Sequence, residues 1–511
     1  MMSEVFLSSD ERASHHVESS SAQDPGHSLS LDFVLDKLGL ECNHLVLICS
    51  LGLACTCGTS YSTGRYFRFE SIPMLANQNI DVVTVDLSAL CCTLLGSLCW
   101  TFLAHKSGRR VALLHPLMFG TFMVISAGFA TDYVMYLALL IVSYFGFSTG
   151  IVVGITYLLE ISPRHKRARA LFLLMFVTTM ASLLHVFTIL LTPTLDSSWL
   201  TLSDFTLAAM SSVAYIGIFT VGVESPRWLA RHGRHLEAQQ SLLSLYSGDQ
   251  NLVRALADCN FNSRECPLHS RREIMWKTLD LIQLLPACLI LPFTGTGQVT
   301  NPDFGVSMLS QLLFRTACML GYIVSAVVMN PPPLHDDDDD SEALINQPKS
   351  EIPKHLTAVQ GGHNRKHQCL NVRLATKDVY PLLLAGVTIG SSLALAYLPV
   401  HSSTSFTLTA IFCASGPSLL GTVMLDELNA WCAAGRVSIF CLATSSAVQV
   451  QYVIFWALVN TSIPLPPLLR RAPIELIHSV VPSFICFNFV VLRRLRRCLV
   501  VPNPIIGEFH R

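Results

Sequence analysis

Long, predominantly apolar runs, about twelve of them and each near twenty residues, set what this chain can fold into. Inside a bilayer a helix satisfies its own backbone N–H and C=O groups, so each run is read as a membrane-crossing helix. Composition agrees. Only 14% of the 511 residues are charged and 51% are hydrophobic, whereas soluble domains carry roughly 25% charged residues. So little charge would leave a soluble core of this size uncovered.

Net charge is −1, which steers no partner. No basic tract interleaved with aromatics points to nucleic acid. No nucleophile–base pair or phosphate loop points to an enzyme, and no cofactor is expected. The seventeen cysteines form no CxxC pair and no Cys/His metal spacing. Cys55, Cys57, Cys91 and Cys92 read as apolar fillers inside spans.

The spans fall at about 44–60, 82–104, 111–130, 133–159, 170–191 and 205–223, then about 276–294, 306–329, 379–400, 406–425, 437–459 and 473–492. This predicts an all-α membrane protein of two six-helix bundles, 44–223 and 276–492. Residues 1–43 form an N-terminus without the apolar core of a signal peptide, with an amphipathic helix over Leu31–Leu40. Residues 224–275 form a central loop, and 493–511 a basic tail. Within the second bundle, 330–378 is a disordered insert carrying the aspartates Asp336–Asp340.

Basic residues cluster in HKSGRR (His105–Arg110), EISPRHKRAR (Glu160–Arg169), the central loop and RRLRR (Arg493–Arg497). The positive-inside rule puts these, and both termini, in the cytoplasm. Arg470 and Arg471 are the exception. The arginine tail serves either as a topology signal or as a contact for anionic membrane lipid. In the fourth span Gly146, Gly150 and Gly154 recur at every fourth position, which suits close approach of a neighbouring helix. The fourth span of each half ends on an acid, Glu160 and Glu427, with a basic residue soon after. Such groups suit inner gates that pair and separate.

The stretch ESPRWLARHGR (Glu224–Arg234), followed by Glu237-Ala238, joins the two halves. It resembles the signature after span six in the organic cation/anion/carnitine transporters, a solute carrier family of the major facilitator superfamily. HKSGRR, YLLEISPRHKRARA and WKTLDL resemble that family's turns after spans two and four and its entry to span seven. The resemblance is good over about 80–285 and faint beyond, where the span pattern alone carries it. It implies a polyspecific transporter of small organic ions in the plasma membrane, working by alternating access, with inner gates built from Arg109, Arg110, Glu160, Arg167, Glu224, Arg227 and Glu427.

Departures from the family are specific. His105 replaces the acid of the first turn, and Thr101 its leading glycine. Ala430 and Ala434 replace the proline and arginine of the turn after span ten, and the long outer loop after span one is short and lacks cysteine. These departures leave a second reading open: a transport-incompetent receptor or scaffold with Asp336–Asp340 as its partner site.

For substrate contact, Arg315 stands near the middle of span eight, where an arginine costs about 2.5 to 3.5 kcal/mol to insert. It either faces the central cavity or holds a structural partner. His185 and Tyr215 are further candidates, each with a packing role as the alternative. Tyr144 and Tyr157 are read in the same way. In span eleven the charged position of relatives falls on neutral Ser446 or, with a shift, Gln449. Arg315, with no obvious intramembrane carboxylate beside it, leans the substrate toward anions or zwitterions.

Overall fold

A computed structural model of the chain describes residues 42–70, 82–163, 166–190, 202–245, 308–329, 376–397, 402–433, 437–460 and 481–499, and single positions at Leu35, Leu279, Ile282, Leu284 and Leu285. Every described element is helical. The first half holds α1 (Cys42–Glu70), α2 (Val82–Ser107), α3 (Arg109–Ala127) and α4 (Tyr133–Phe147). A π-helical turn, Gly150–Gly154, leads into α5 (Ile155–Ile161), and α6 (Arg167–Leu190) and α7 (Leu202–Val221) follow. Two short helices, α8 (Pro226–Arg231) and α9 (His235–Leu245), come next. The second half holds α10 (Met308–Val328), α11 (Thr376–Tyr397), α12 (Ser402–Ala433), α13 (Val437–Asn460) and α14 (Val481–Leu499).

Local chemistry sets several of these boundaries. Asp132 caps α4, its side chain accepting from the Met135 N–H at 2.7 Å. Ser225 caps α8 and Pro226 occupies its first turn, where a missing N–H costs nothing. Gly233, at φ 73°, turns the chain from α8 into α9.

Seven described helices are long and apolar enough to cross a membrane, and four shorter apolar helices accompany them. They coincide with all the apolar runs of the sequence except 276–294, of which only four residues are described. Three boundaries differ from expectation. Helix α1 continues ten residues beyond the apolar run, to Glu70. Helix α12 runs on to Ala433, so Asp426–Ala433 is helix where a turn was expected; Leu and Ala are good helix formers and no proline interrupts them. Helix α14 carries through Arg493–Arg497 to Leu499, so the basic cluster begins as helix rather than tail. Of the expected amphipathic helix over 31–40, Leu35 alone is described, fully buried in the first-half core; the rest, and the aspartates 336–340, lie outside the described residues.

The polarity is inverted relative to a soluble protein. Phe102, Phe122, Phe129, Val134 and Phe205 project from the outer surface, while Arg109, Glu160, Arg167, His185, Asp204 and Arg227 are buried. Such an exterior needs hydrocarbon, not water, around it. Helix α1 packs on α6 and α7, α3 on α4 and α7, and α2 on α4. In the second half α12 packs on α10 and α11, and α11 on α14. The halves meet where α6 lies against α10 and α2 against α13. Close approach depends on small residues. A Cβ on Gly146 would stand 2.5 Å from the Pro116 carbonyl oxygen, and one on Gly150 2.1 Å from that of Ala54. Gly154 makes no such tight approach.

Candidate functional site

At the end of the bundle where α2 turns into α3, charged side chains are drawn into one buried network. The Arg109 guanidinium forks onto Glu160, Nε to Oε2 at 3.0 Å and Nη2 to Oε1 at 2.8 Å. Both side chains are almost wholly excluded from solvent. Arg109 also donates through Nη1 to the Ala104 carbonyl at 2.5 Å, completing its planar fork. Arg231 approaches Glu160 from α8 at 3.9 Å. Arg227, also buried, donates from Nε to the Glu160 backbone oxygen at 3.0 Å. Three arginines from two elements thus converge on the end of α5. In the protein interior a paired charge of this kind tolerates little displacement.

Glu224 closes the same network differently. Its carboxylate caps α3: the Arg109 N–H reaches Oε1 at 2.6 Å and the Arg110 N–H reaches Oε2 at 3.2 Å. The Ser225 N–H donates to Oε1 at 3.0 Å. A helix N-terminus favours a carboxylate here because of its unsatisfied N–H groups and its dipole. Gly108 makes this possible. It adopts φ 103°, and a Cβ there would lie 2.4 Å from Glu224 Oε2. Burial pushes the Glu224 carboxyl above the usual carboxylate range, and the N–H donors of Ser225, Arg109 and Arg110 pull it part of the way back. The Tyr157 hydroxyl donates to the Val223 carbonyl, tying α5 to the exit of α7. Trp228 Nε1 donates to the His105 carbonyl at 3.0 Å, tying α8 to α2. Arg110 lies over Phe219 and donates to its carbonyl at 2.9 Å.

Between the halves at this end, the described contacts include a polar pair and an apolar cluster. Arg167 donates from Nε to the Leu159 carbonyl at 3.1 Å and from Nη1 to Asn429 Oδ1 at 3.3 Å. Asn429 belongs to the second half, two residues after the buried Glu427. Around this contact Val152, Leu159, Ala168 and Leu171 pack on Leu425, Leu428, Cys432, Val437, Phe440 and Cys441. This end of the molecule is closed.

Deeper in the bundle, Arg315 on α10 is buried and donates to the Ser182 hydroxyl on α6. The arginine therefore stands on the boundary between the halves. His185, one turn further along α6, turns instead to α7, where its Nε2 meets Ser203 Oγ at 2.9 Å. Tyr215 stacks on Phe219, 6.1 Å between centroids, beside the exposed apolar strip of Phe205, Val213 and Ile216. Neither is gathered with Arg315 into one constellation. Gln449 lies on α13, and its side chain is outside the described residues.

Two participants, Asp204 and Asn429, escaped the sequence reading. Asp204 is fully buried and accepts from the Tyr136 hydroxyl at 2.6 Å; it had been read into the polar linker before α7. Asn429, uncharged, gave no signal of a cross-half contact. Of the two roles open to Tyr157, cavity or packing, its hydroxyl takes the second and anchors a helix end.

An inverted-polarity helical chain whose halves meet along α6–α10 and α2–α13, among other contacts, and whose first half gathers a buried charged network at one end, is a multi-pass membrane transporter of the major facilitator type, not an enzyme. The chain belongs to the family of sugar and other transporters, whose sequence model matches residues 54–329, more than half of its length. Compared by sequence with curated proteins, it matches none. Among solved structures it is similar to the proton:xylose symporter XylE bound to 6-bromo-6-deoxy-D-glucose, with TM-score 0.61 and 14% identity over 90% of this chain and 95% of that one. It is also similar to the partially occluded inward-open form of XylE from E. coli, with TM-score 0.51 and 14% identity over 92% of this chain and 98% of that one.

Proposed function

We propose that this transporter carries small organic ions, with anions and zwitterions preferred over cations, by alternating access of its two halves. The observation that carries the reading is Arg315, a buried arginine bonded across the α6–α10 boundary to Ser182. A cation held in the membrane interior at that boundary offers a carboxylate or sulfonate the partner it needs. The motif Glu224–Arg234 supports placement with the organic-ion branch of the family. The gate is the network of Arg109, Arg110, Glu160, Arg167, Glu224 and Arg227, with Glu427 on the opposing half. Its excess of basic residues supports a cytoplasmic location for this end and both termini, with the plasma membrane as the site of action. The arginines of α14 would meet anionic lipid there.

Uptake of labelled aryl carboxylates, zwitterions and quaternary ammonium ions into proteoliposomes tests the assignment. Arg315→Ala is expected to cut anion uptake about tenfold or more, the weight of one lost charge-assisted hydrogen bond, and Ser182→Ala to change it less. Anion uptake unaltered in Arg315→Ala would remove the residue from the substrate path.

A second reading has its own observation. One described contact between the halves runs from Arg167 to the neutral Asn429, and His105 stands where the organic-ion family carries an acid. These favour a receptor or scaffold that binds ligand without moving it, using Asp336–Asp340 for a partner. Saturable uptake of any member of the panel would sink it.

A further inference from the structure

We propose that the second half carries an aryl-binding pocket on the helix of Arg315, and that in the closed state the ring of Phe172 occupies it where a ligand's ring would go; the inference rests on the anion and alternating-access reading above. Phe172 belongs to α6 of the first half, yet its phenyl group lies on residues of the second. A Cβ on Gly421 of α12 would stand 2.9 Å from Phe172 Cε1, so the absence of a side chain there is what admits the ring. Tyr322 of α10 lies beside it, 6.4 Å between centroids and tilted by 38°. Cys318 of α10 and Cys413 of α12 belong to the same buried cluster. Phe172 is wholly excluded from solvent.

The recess suits a flat ring. The glycine leaves a floor without a side chain, and the tilted tyrosine makes a wall at a spacing that aromatic pairs favour. The two sulfur atoms nearby offer soft, polarizable contacts that rings accept. The Cys318 thiol already donates to the Cys413 carbonyl at 3.0 Å, so it asks no hydrogen bond of an occupant.

Leu171, the neighbour of Phe172 in the chain, packs in the closed contact between the halves. When the halves part at this end, Phe172 leaves with α6, and Gly421, Tyr322 and the two cysteines stay with the second half. What they leave is an apolar recess of phenyl size facing the gap, and burying a ligand's ring there removes its apolar surface from water. Arg315 sets the rest of the ligand. Arg315, Cys318 and Tyr322 stand at i, i+3 and i+7 of α10, so the cation and the pocket wall share one side of the helix. About two turns separate them, or about 10 Å. The ligand class is therefore an aryl group carried at that distance from a carboxylate.

The test is equilibrium binding of labelled ω-phenylhexanoate and decanoate, anions of similar reach with and without a ring, to the full chain in lipid nanodiscs, with empty discs subtracted. In wild type the ligand's ring has to displace Phe172. Phe172→Ala removes that competitor and is expected to tighten ω-phenylhexanoate about tenfold, against about twofold or less for decanoate. Phe172→Leu keeps an apolar side chain at the boundary and should give a smaller gain of the same kind, so the test survives a poorly folded alanine variant. Adding Gly421→Ala to either variant returns a methyl group to the pocket floor and should cancel the gain. Equal tightening of the two anions would overturn the pocket alone, because the substitution would then merely have opened the contact. A ring-selective gain that persists with Gly421→Ala would overturn it too, by placing the ring elsewhere. Binding of neither anion, in wild type and variants alike, would overturn the anion reading and the pocket with it.

Discussion

Arg109 and Glu160 show what a buried charge does when its partner is exact. The fork places two N–H groups on two carboxylate oxygens, and a third donates to a carbonyl, so little of either group's hydrogen-bonding capacity is wasted. The pair contributes a defined geometry rather than much net stability, because burial of both ions offsets most of their attraction. Breaking it is another matter. Arg109→Ala leaves the Glu160 carboxylate buried without its main partner and is expected to destabilise the protein by about 3 to 5 kcal/mol. Arg109→Lys, a point charge without the fork, should fall between the two. Thermal unfolding of the detergent-purified variants measures this, and an Arg109→Ala midpoint equal to wild type would refute the buried pair. Gly108→Ala is the companion case. A left-handed φ and a Cβ against Glu224 act together, and a loss of about 1 to 3 kcal/mol is expected in the same assay.

Helices and their ends explain both what was legible in the sequence and what was not. Apolar run length was enough to place seven described helices that can cross a membrane and four shorter apolar ones, because a bilayer leaves the backbone almost no alternative to a helix. It could not place the ends of α1 and α12. There polar residues continue the helix, and hydropathy changes before the helix does. The charged motifs announced which residues would gather at one end, since Glu224–Arg234 and the basic turns are recognisable as strings. Pairing was not legible. Glu224 was expected to meet basic side chains, yet its carboxylate takes the backbone N–H groups of Arg109 and Arg110, a role that any residue sequence at those positions can fill. Asp204 was hidden because a single acid beside a polar linker looks solvated until Tyr136 is seen above it.

The α3 cap also carries a pH dependence. With burial raising the Glu224 carboxyl above an ordinary glutamate, the closed network binds a proton more tightly than an opened or unfolded one. Its contribution is therefore fullest below the ordinary glutamate range and declines as pH rises through the raised value. Glu224→Gln fixes the neutral form and abolishes that trend. The melting temperature of wild type relative to Glu224→Gln should climb as pH falls from about 7 to about 5; a constant difference would show that the N–H donors outweigh burial after all.

Taken whole, the described charges are unevenly divided between the halves. The first half brings its own arginines and acids into one network, while the second half contributes Asn429, the buried Glu427 and an apolar surface. On the alternating-access proposal this contact opens on every cycle, so its strength sets how long the closed state lasts. Asn429, a neutral acceptor for Arg167, and a patch of Leu, Val and Cys form part of that contact. Converting this acceptor to a carboxylate should tighten its bond to Arg167. Asn429→Asp is expected to strengthen the contact with Arg167 by about 1 kcal/mol, roughly a fivefold shift toward the closed form. Asn429→Ala removes the acceptor and shifts it the other way. Hydrogen exchange of the backbone over Ile155–Ile161 reads the difference directly, slower than wild type in the aspartate variant and faster in the alanine. Unchanged exchange in both would place the seal entirely in its apolar contacts, with Arg167 serving only the end of its own helix pair.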